Sequence, residues 1–339
     1  MIGHVGFFNN IDTNKLKNTG SYRLNFIEMN NHLLNKGVSS YIFSDFKLLK
    51  DNTSVIILYK GLGSLAKYIK NLNPKILVGI INPDSINDDF NNCDFAIVNS
   101  IEEKVSLKKF YNNIFIFNLI EDSYYNEPLK FHEPTKNLSI GYHGHSSHID
   151  RMNYGFLEAI NALVNEKEIK YSLKICTENN QLSKKLIQSY KKLNFEIDFI
   201  EWSINNIKSM MHQIDIGYVP NMHFNKIKKR NVDTTNGFFE SDYSVRFKNK
   251  SNPGRAFVFI QFGIPIITDL TPSMLPIYHD ETTGLICSDY ISLYKGIKTM
   301  SNNSVRNEMS RNAFLRFKNI YSRSNDMDLI IDFFNKSMK

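Results

Sequence analysis

The stretch RFKNKSNPGRAFVFIQFGIPIITD, residues 246–269, decides how this chain is read. Arg246, Lys248, Lys250 and Arg255 crowd into its first ten positions, and the sequence then turns apolar. Asn252 is a good helix N-cap, Pro253 suits a first turn, and Gly263 followed by Pro265 stops a helix. Ala256, Phe259, Ile260 and Gly263 recur at helical spacing, so one apolar face is expected. The IPIIT that follows reads as a short buried strand. A helix running at once into a buried strand is the repeating unit of a parallel α/β sheet. It also puts cations at the positive end of the helix dipole, where each costs a few tenths of a kcal/mol unless an anion is present. The stretch therefore asks for an anionic partner.

The alternation extends in both directions. In the first half, IGHVGFF, SSYIFS, SVIILY, KILVGII, CDFAIVNS and NIFIFNLI read as strands. YRLNFIEMNNHLLNKG places Tyr22, Phe26, Met29 and Leu33 on one helical face, and Ser100 is placed to cap the helix IEEKVSLKKF. Residues 122–137 carry two prolines and no periodicity, which marks a linker. The pattern then restarts with the strands LSIGYHG, YSLKIC, EIDFIEW and DIGYVP, separated by the helices YGFLEAINALVN, QLSKKLIQSYKKL and INNIKSMMHQ. Residues 221–250 read as a long, polar, basic loop, a length that usually carries function. After IPIIT come TGLIC, the helix ISLYKGIKTM and a helical region from about Ser304. Two doubly wound α/β domains in tandem are expected, residues 1–128 and 138–321, with a terminal helix near 322–339 returning to the first. Ligands in such sheets bind at the carboxyl ends of strands.

Bulk properties narrow the function. A chain of 339 residues with 42% hydrophobic and 13% aromatic content suits two ordinary globular cores. The formal charge of +7 favours an anionic partner: nucleic acid, lipid headgroups or a phosphorylated small molecule. It equally fits a Lys-, Asn- and Ile-rich composition with no functional meaning. No basic stripe interleaved with exposed aromatics is apparent, which argues against nucleic acid. Cys93, Cys176 and Cys287 are far apart with no CxxC, as expected of reduced thiols. With no signal-like start and no apolar run of spanning length, the chain reads as cytoplasmic, with peripheral contact at the inner membrane face left open.

The segment GRAFVFIQFGIPIITDLTPSMLPIYHDETTGLIC resembles the donor-site segment of GT-B glycosyltransferases, in which a helix ends in G-x-P and a strand, and T-G-L follows. DIGYVP resembles the strand before it. CDFAIVNSIEEKVSLKKF with NIFIFNLIED resembles the end of the N-terminal domain, and GSYRLNFIEMNNHLLNKG the first loop and helix. The motifs occur in the superfamily's order over most of the chain and are similar to its group 1 type. The paired glutamates of many retaining members fall, counted back from Gly263, on Lys250 and Val258, so neither is acidic here. The sequence is instead similar to variants with a basic residue early in the helix, Arg255.

The resemblance implies a GT-B fold, two Rossmann-like domains meeting at a cleft. It implies transfer of a sugar from a nucleotide-sugar donor to a saccharide, lipid-linked or surface-glycan acceptor, with no metal and no cofactor beyond the co-substrate. The donor side would comprise Gly144, His145, Trp202, Arg246, Lys250, Ser251, Asn252 and Arg255, and the acceptor side Gly20, Ser21 and Arg23. His143 and Asp12, each following the first strand of a domain, are the candidates for a catalytic base. Bland readings stand beside these: a solvated basic loop, a core tryptophan and a surface charge at Arg23. The spacing of His143, His145 and His148 near Asp150 also admits a metal, although no further ligand completes the set. A nucleotide-sugar epimerase of the same fold and a non-catalytic nucleotide- or glycan-binding protein are the alternative functions.

Overall fold

The computed structural model describes residues 2–10, 20–83, 92–146, 148, 155–179, 181–190, 193–226, 243–247, 252–279 and 281–338. Within these, the side chains of residues 21, 187, 189, 222–226 and 243–247 lie outside the description. The chain divides into two compact units. One comprises 1–125, 252–254 and 321–339; the other comprises 126–251 and 255–320.

The first unit is built on six parallel strands, β1 (His4–Phe8), β2 (Ser40–Phe43), β3 (Thr53–Leu58), β4 (Leu77–Ile81), β5 (Phe95–Val98) and β6 (Ile114–Ile116). They are ordered β2-β1-β3-β4-β5-β6. Side chains of a strand alternate between faces, and both faces here are apolar. Val5, Phe7, Val55, Ile57, Phe95 and Ile97 point to one side and Phe8, Ile56, Leu58, Val78, Ile80 and Val98 to the other. The first face is covered by helix α1 (residues 20–35), through Tyr22, Phe26, Met29 and Leu33, and by the chain's final helix through Met327, Ile330 and Phe334. The second is covered by α2 (Leu65–Leu72), through Ala66 and Ile69, and by α3 (Ile101–Leu107). Ser100 caps α3, its Oγ accepting from the Glu103 backbone N–H at 3.1 Å.

Helix α2 is absent from the sequence reading. Its apolar residues Leu65, Ala66, Ile69 and Leu72 do recur at helical spacing over two turns, and parallel neighbours β3 and β4 cannot be joined without a crossover. Within α1, Arg23–Glu28 forms a π-helical segment. Its wider turn brings residues five apart to one side, and Arg23 Nη1 donates to Glu28 Oε1 at 2.9 Å. A buried amide cluster ties that segment to the strand ends. Asn25 and Asn99 exchange side-chain hydrogen bonds of 3.0 and 2.8 Å, and Asn99 also donates to the Phe117 carbonyl at 2.8 Å.

The second unit holds β7 (Asn137–His143), β8 (Lys170–Thr177), β9 (Glu196–Glu201), β10 (Ile216–Val219), β13 (Ile266–Thr268) and β14 (Leu285–Ile286). Its order is β14-β13-β10-β7-β8-β9, all parallel. The chain winds outward from β7 to β9, returns to the other side of β7, and winds outward again. This is the dinucleotide-fold order, with its reversal between β7 and β10. The helices are α4 (Phe156–Asn165), α5 (Gln181–Tyr190), α6 (Ile204–Gln213), α7 (Gly254–Gln261), α8 (Tyr290–Met300) and α9 (Asn303–Ile320); α10 (Arg323–Ser337) belongs to the first unit.

Residues 221–250 are not simply a loop. Β-strands β11 (Met222–Lys226) and β12 (Tyr243–Phe247) pair antiparallel, with His223 opposite Arg246. The alternating MHFNK and YSVRF carry this ladder, a period of two that the polar character of the surrounding sequence hides. The region after Ser304 is two helices, broken at residues 321–322.

Candidate anion-binding site

The helix that opened the sequence reading is buried on all sides. Ala256, Phe257, Val258, Phe259, Ile260 and Gln261 are all buried, so α7 presents no single apolar face. It lies close against β10: a Cβ on Gly217 would stand 2.6 Å from the Phe259 ring. Gly263, at φ +68°, ends the helix, with Ile264 N donating back to the Phe259 carbonyl at 2.9 Å. Asn252 Oδ1 accepts from the Gly254 N–H at 3.2 Å, an Asx turn at the helix start.

That packing fixes Arg255 at the carboxyl ends of β7 and β10, the point where the strand order reverses. Its Nη2 donates to the Pro220 carbonyl at 2.7 Å and to Asn221 Oδ1 at 2.6 Å. The guanidinium carbon sits 5.7 Å from the centre of the Tyr142 ring. Every partner is neutral. No carboxylate lies within 4.0 Å of its nitrogens among the described residues. Nη1 is buried and makes no hydrogen bond among the described residues. A cation held at a helix N-terminus by neutral groups, with one edge unsatisfied, is a place for an anion.

Gly144 makes this placement sterically feasible. Its φ of +141° is strained for any side chain, and a Cβ there would stand 2.9 Å from Arg255 Cδ and 3.0 Å from the Tyr142 hydroxyl. The loop that follows is anchored by Glu178, which accepts from the Ser146 N–H at 2.9 Å, from Ser146 Oγ at 2.6 Å and from Thr177 Oγ1 at 2.8 Å. Burial raises the pKa of Glu178, but these donors outweigh it and lower it overall. His145 is exposed, 3.2 Å from the same carboxylate.

His143 is buried beneath α7, and its Nε2 donates to the Arg255 carbonyl at 3.0 Å. A carbonyl only accepts, so Nε2 carries the proton and Nδ1 does not. Burial pushes this imidazole down to about 4, against the pull of the carbonyl hydrogen bond and with the help of the Arg255 charge. The ring is therefore neutral at pH 7 and weakly basic, well below the range that suits a general base.

The structure thus brings together His143, Gly144 and Arg255 from the sequence-level set. Trp202 is half-buried just after β9, its backbone N–H donating to the Thr177 carbonyl at 2.8 Å, and is not among the groups around Arg255. Arg246 is placed by its backbone alone. Asp12, Asp150, Lys250 and Ser251 lie outside the described residues. Among the described residues, no three His, Cys, Asp or Glu side chains converge as a metal site would require. Asn221, Tyr142 and Asp269 were not singled out as site residues. The signal for Asn221 was its position directly after Pro220, at the end of the strand that flanks the reversal.

In the first unit, Gly20 begins α1 with open space where a Cβ would be. Arg23 is engaged through both terminal nitrogens. It meets both oxygens of Glu121 at 2.5 Å, in addition to Glu28. This cluster extends to Asp122, which His32 meets at 2.5 Å, and to Arg323, which donates to the Asn118 and Ile120 carbonyls. Burial and the Glu121 and Asp122 charges raise Glu28 to about 8, against the opposing pull of Arg23 and Arg323.

No protein-family profile matches the chain, and no curated protein does. Solved structures do. The sucrose-phosphate synthase of Thermosynechococcus elongatus superposes with a TM-score of 0.66 at 9% identity over 98% of each chain. Anabaena Alr3699/HepE, solved with UDP and glucose, gives 0.60 at 9% identity over 98% of this chain and 99% of its own. TarM gives 0.57 at 12% identity over 83% of this chain, which spans only 54% of TarM. At such identities the shared property is the fold: two parallel sheets flanked by helices, the two Rossmann-like domains of the GT-B fold.

Proposed function

We propose that this chain is a glycosyltransferase, moving a sugar from a nucleotide-sugar donor to a saccharide or lipid-linked glycan acceptor. The observation that carries this is the Arg255 guanidinium. It sits at the strand-order reversal of the second unit, at the start of a buried helix, and among the described residues it has only neutral partners and one unsatisfied edge. A diphosphate is the ligand whose charge such a site complements, and in transfer the negative charge on the leaving phosphate grows. Arg255 and the α7 N-terminus would stabilise that charge without a metal. Asn252, Ser251, Lys250 and Arg246 precede Arg255 in the chain as further donor-side groups, and Gly144 and His145 begin the loop beside it.

HepE, of the same fold, was solved with UDP and glucose, which supports a nucleotide-sugar as the class of donor. The acceptor is assigned to the first unit, where Gly20 and Ser21 open α1. Arg23, held by Glu28 and Glu121, serves there by fixing the helix. The deciding experiment is a thermal-shift and calorimetric screen against UDP-, GDP-, CMP- and dTDP-sugars on wild type and Arg255→Ala. Product analysis with and without acceptor then separates transfer from epimerisation. One nucleotide class should raise the midpoint of the wild type and not of the variant. No shift with any of them overturns the reading.

A further inference from the structure

The site contains a second unsatisfied donor, one that its resemblance to known sequences does not assign. Asn221 is only 2% exposed. Its backbone N–H donates to Asp269 Oδ2 at 2.6 Å, and its Oδ1 accepts from Arg255 Nη2 at 2.6 Å. The amide orientation follows from chemistry, because a guanidinium only donates and must face the oxygen. That leaves Nδ2, which is buried and without a hydrogen-bond partner among the described residues. A buried, unpaired amide N–H is costly, and native structures seldom leave one without reason.

The two unsatisfied nitrogens are related. Arg255 Nη1 and Asn221 Nδ2 each belong to the same planar group as an atom of the Arg255–Asn221 hydrogen bond. They flank one contact at the carboxyl end of β10. Asp269 clamps the Asn221 backbone, so the amide is aligned before any ligand arrives. We infer that Asn221 is an anion ligand in its own right: Nδ2 and Arg255 Nη1 together grip the oxygens of the donor's diphosphate, with Asp269 as the positioning residue. This rests on the reading of the site as a nucleotide-sugar donor site, and adds to it a specific requirement for an amide at position 221.

An amide and a carboxylate are nearly isosteric but opposite in function here. In Asn221→Asp the side chain loses both donors, becomes acceptor-only, and forms an ion pair with Arg255 that occupies the cation. The folded protein should be as stable as the wild type or more so, while anion affinity collapses. That ion pair would weaken anion binding through Arg255 alone, so the role of Nδ2 is read from Asn221→Ser, which removes the amide without adding a charge.

The test is titration calorimetry of the full chain with inorganic pyrophosphate and with UDP, alongside unfolding midpoints, for wild type, Asn221→Asp, Asn221→Ser and Arg255→Ala. Asn221→Asp should lose at least a hundredfold in affinity for both probes with no fall in midpoint, and Asn221→Ser about tenfold. If Asn221→Asp binds within threefold of wild type while Arg255→Ala loses affinity, the role of Asn221 is overturned and the donor-site reading stands. If the wild type binds neither probe, both fall together. Asn221→Ser decides whether or not Asn221→Asp folds: wild-type affinity in that variant overturns the inference.

Discussion

The α-carbon of Gly144 faces the side chain of Arg255 so closely that a methyl group there would stand 2.9 Å from Arg255 Cδ. Two residues more than a hundred positions apart are thereby matched, one by lacking a side chain and the other by having a long one. The φ of +141° at Gly144 adds a backbone reason to the steric one. Gly144→Ala should destabilise the second unit by about 1–3 kcal/mol from backbone strain alone. It should also displace Arg255 and weaken pyrophosphate binding. Calorimetry and denaturant unfolding on the same variant check both effects, and unchanged binding would mean that Arg255 does not depend on this contact.

Arg255→Ala has a stability effect whose sign the structure reverses. From the sequence, a cation at a helix N-terminus opposes the dipole, so its removal should leave stability unchanged or raise it by a few tenths of a kcal/mol. In the folded protein the guanidinium satisfies the Pro220 carbonyl and Asn221 Oδ1, hydrogen bonds worth about 1 kcal/mol net each. The variant should therefore be less stable by about 1–2 kcal/mol. Nucleotide affinity should fall ten- to a hundredfold, at about 1.4 kcal/mol per decade. A variant as stable as the wild type would show that these bonds contribute little.

The acidic cluster of the first unit predicts a pH dependence. The Glu28 carboxyl, at 4.5 in the free side chain, rises to about 8 when folded. The folded state thus holds this proton more tightly than the unfolded chain. The associated stability is fully present below about pH 4.5 and is lost as pH rises through about 8. Asp122 acts in the opposite sense. Burial raises it, but His32 and Arg323 outweigh this and lower it, so its contribution is lost only as pH falls below the ordinary carboxylate range. Glu28→Gln should flatten the decline between pH 5 and 8, as read by denaturant unfolding across that range. A decline of the same slope in the variant would assign it to other groups.

The final helix should be integral to the first unit. Phe334 is fully buried, with its ring centroid 5.4 Å from that of Phe95. Phe334→Ala should cost about 3–5 kcal/mol, the range for a large aromatic removed from a packed core. Leu329, on the same helix but 63% exposed, provides the control. Leu329→Ala should change stability by about 0.5 kcal/mol or less. Equal small effects for the two would mean that α10 packs loosely.

The sequence by itself determined the elements and their class. Strand runs, helical periodicity, the Ser100 cap and the Gly263 stop are written within a few consecutive residues, because hydrogen bonding and side-chain period are local. Alternation of those elements was enough for two doubly wound sheets. The period of α2 spans only two turns and the alternation of β11 and β12 lies within polar sequence, so neither stood out from its surroundings. Only the tertiary structure decided where the chain reverses its strand order, and hence which residues share a site. It gave Arg255 the neutral partners Pro220 and Asn221, at separations of 35 and 34 residues, and laid the Arg255 carbonyl on His143, 112 residues away. It gave Arg23 the carboxylate of Glu121, 98 residues distant. Local spacing carries no information about such partners. A charged group's role is set by what desolvates and contacts it, and those neighbours are assembled only when the sheet closes around them.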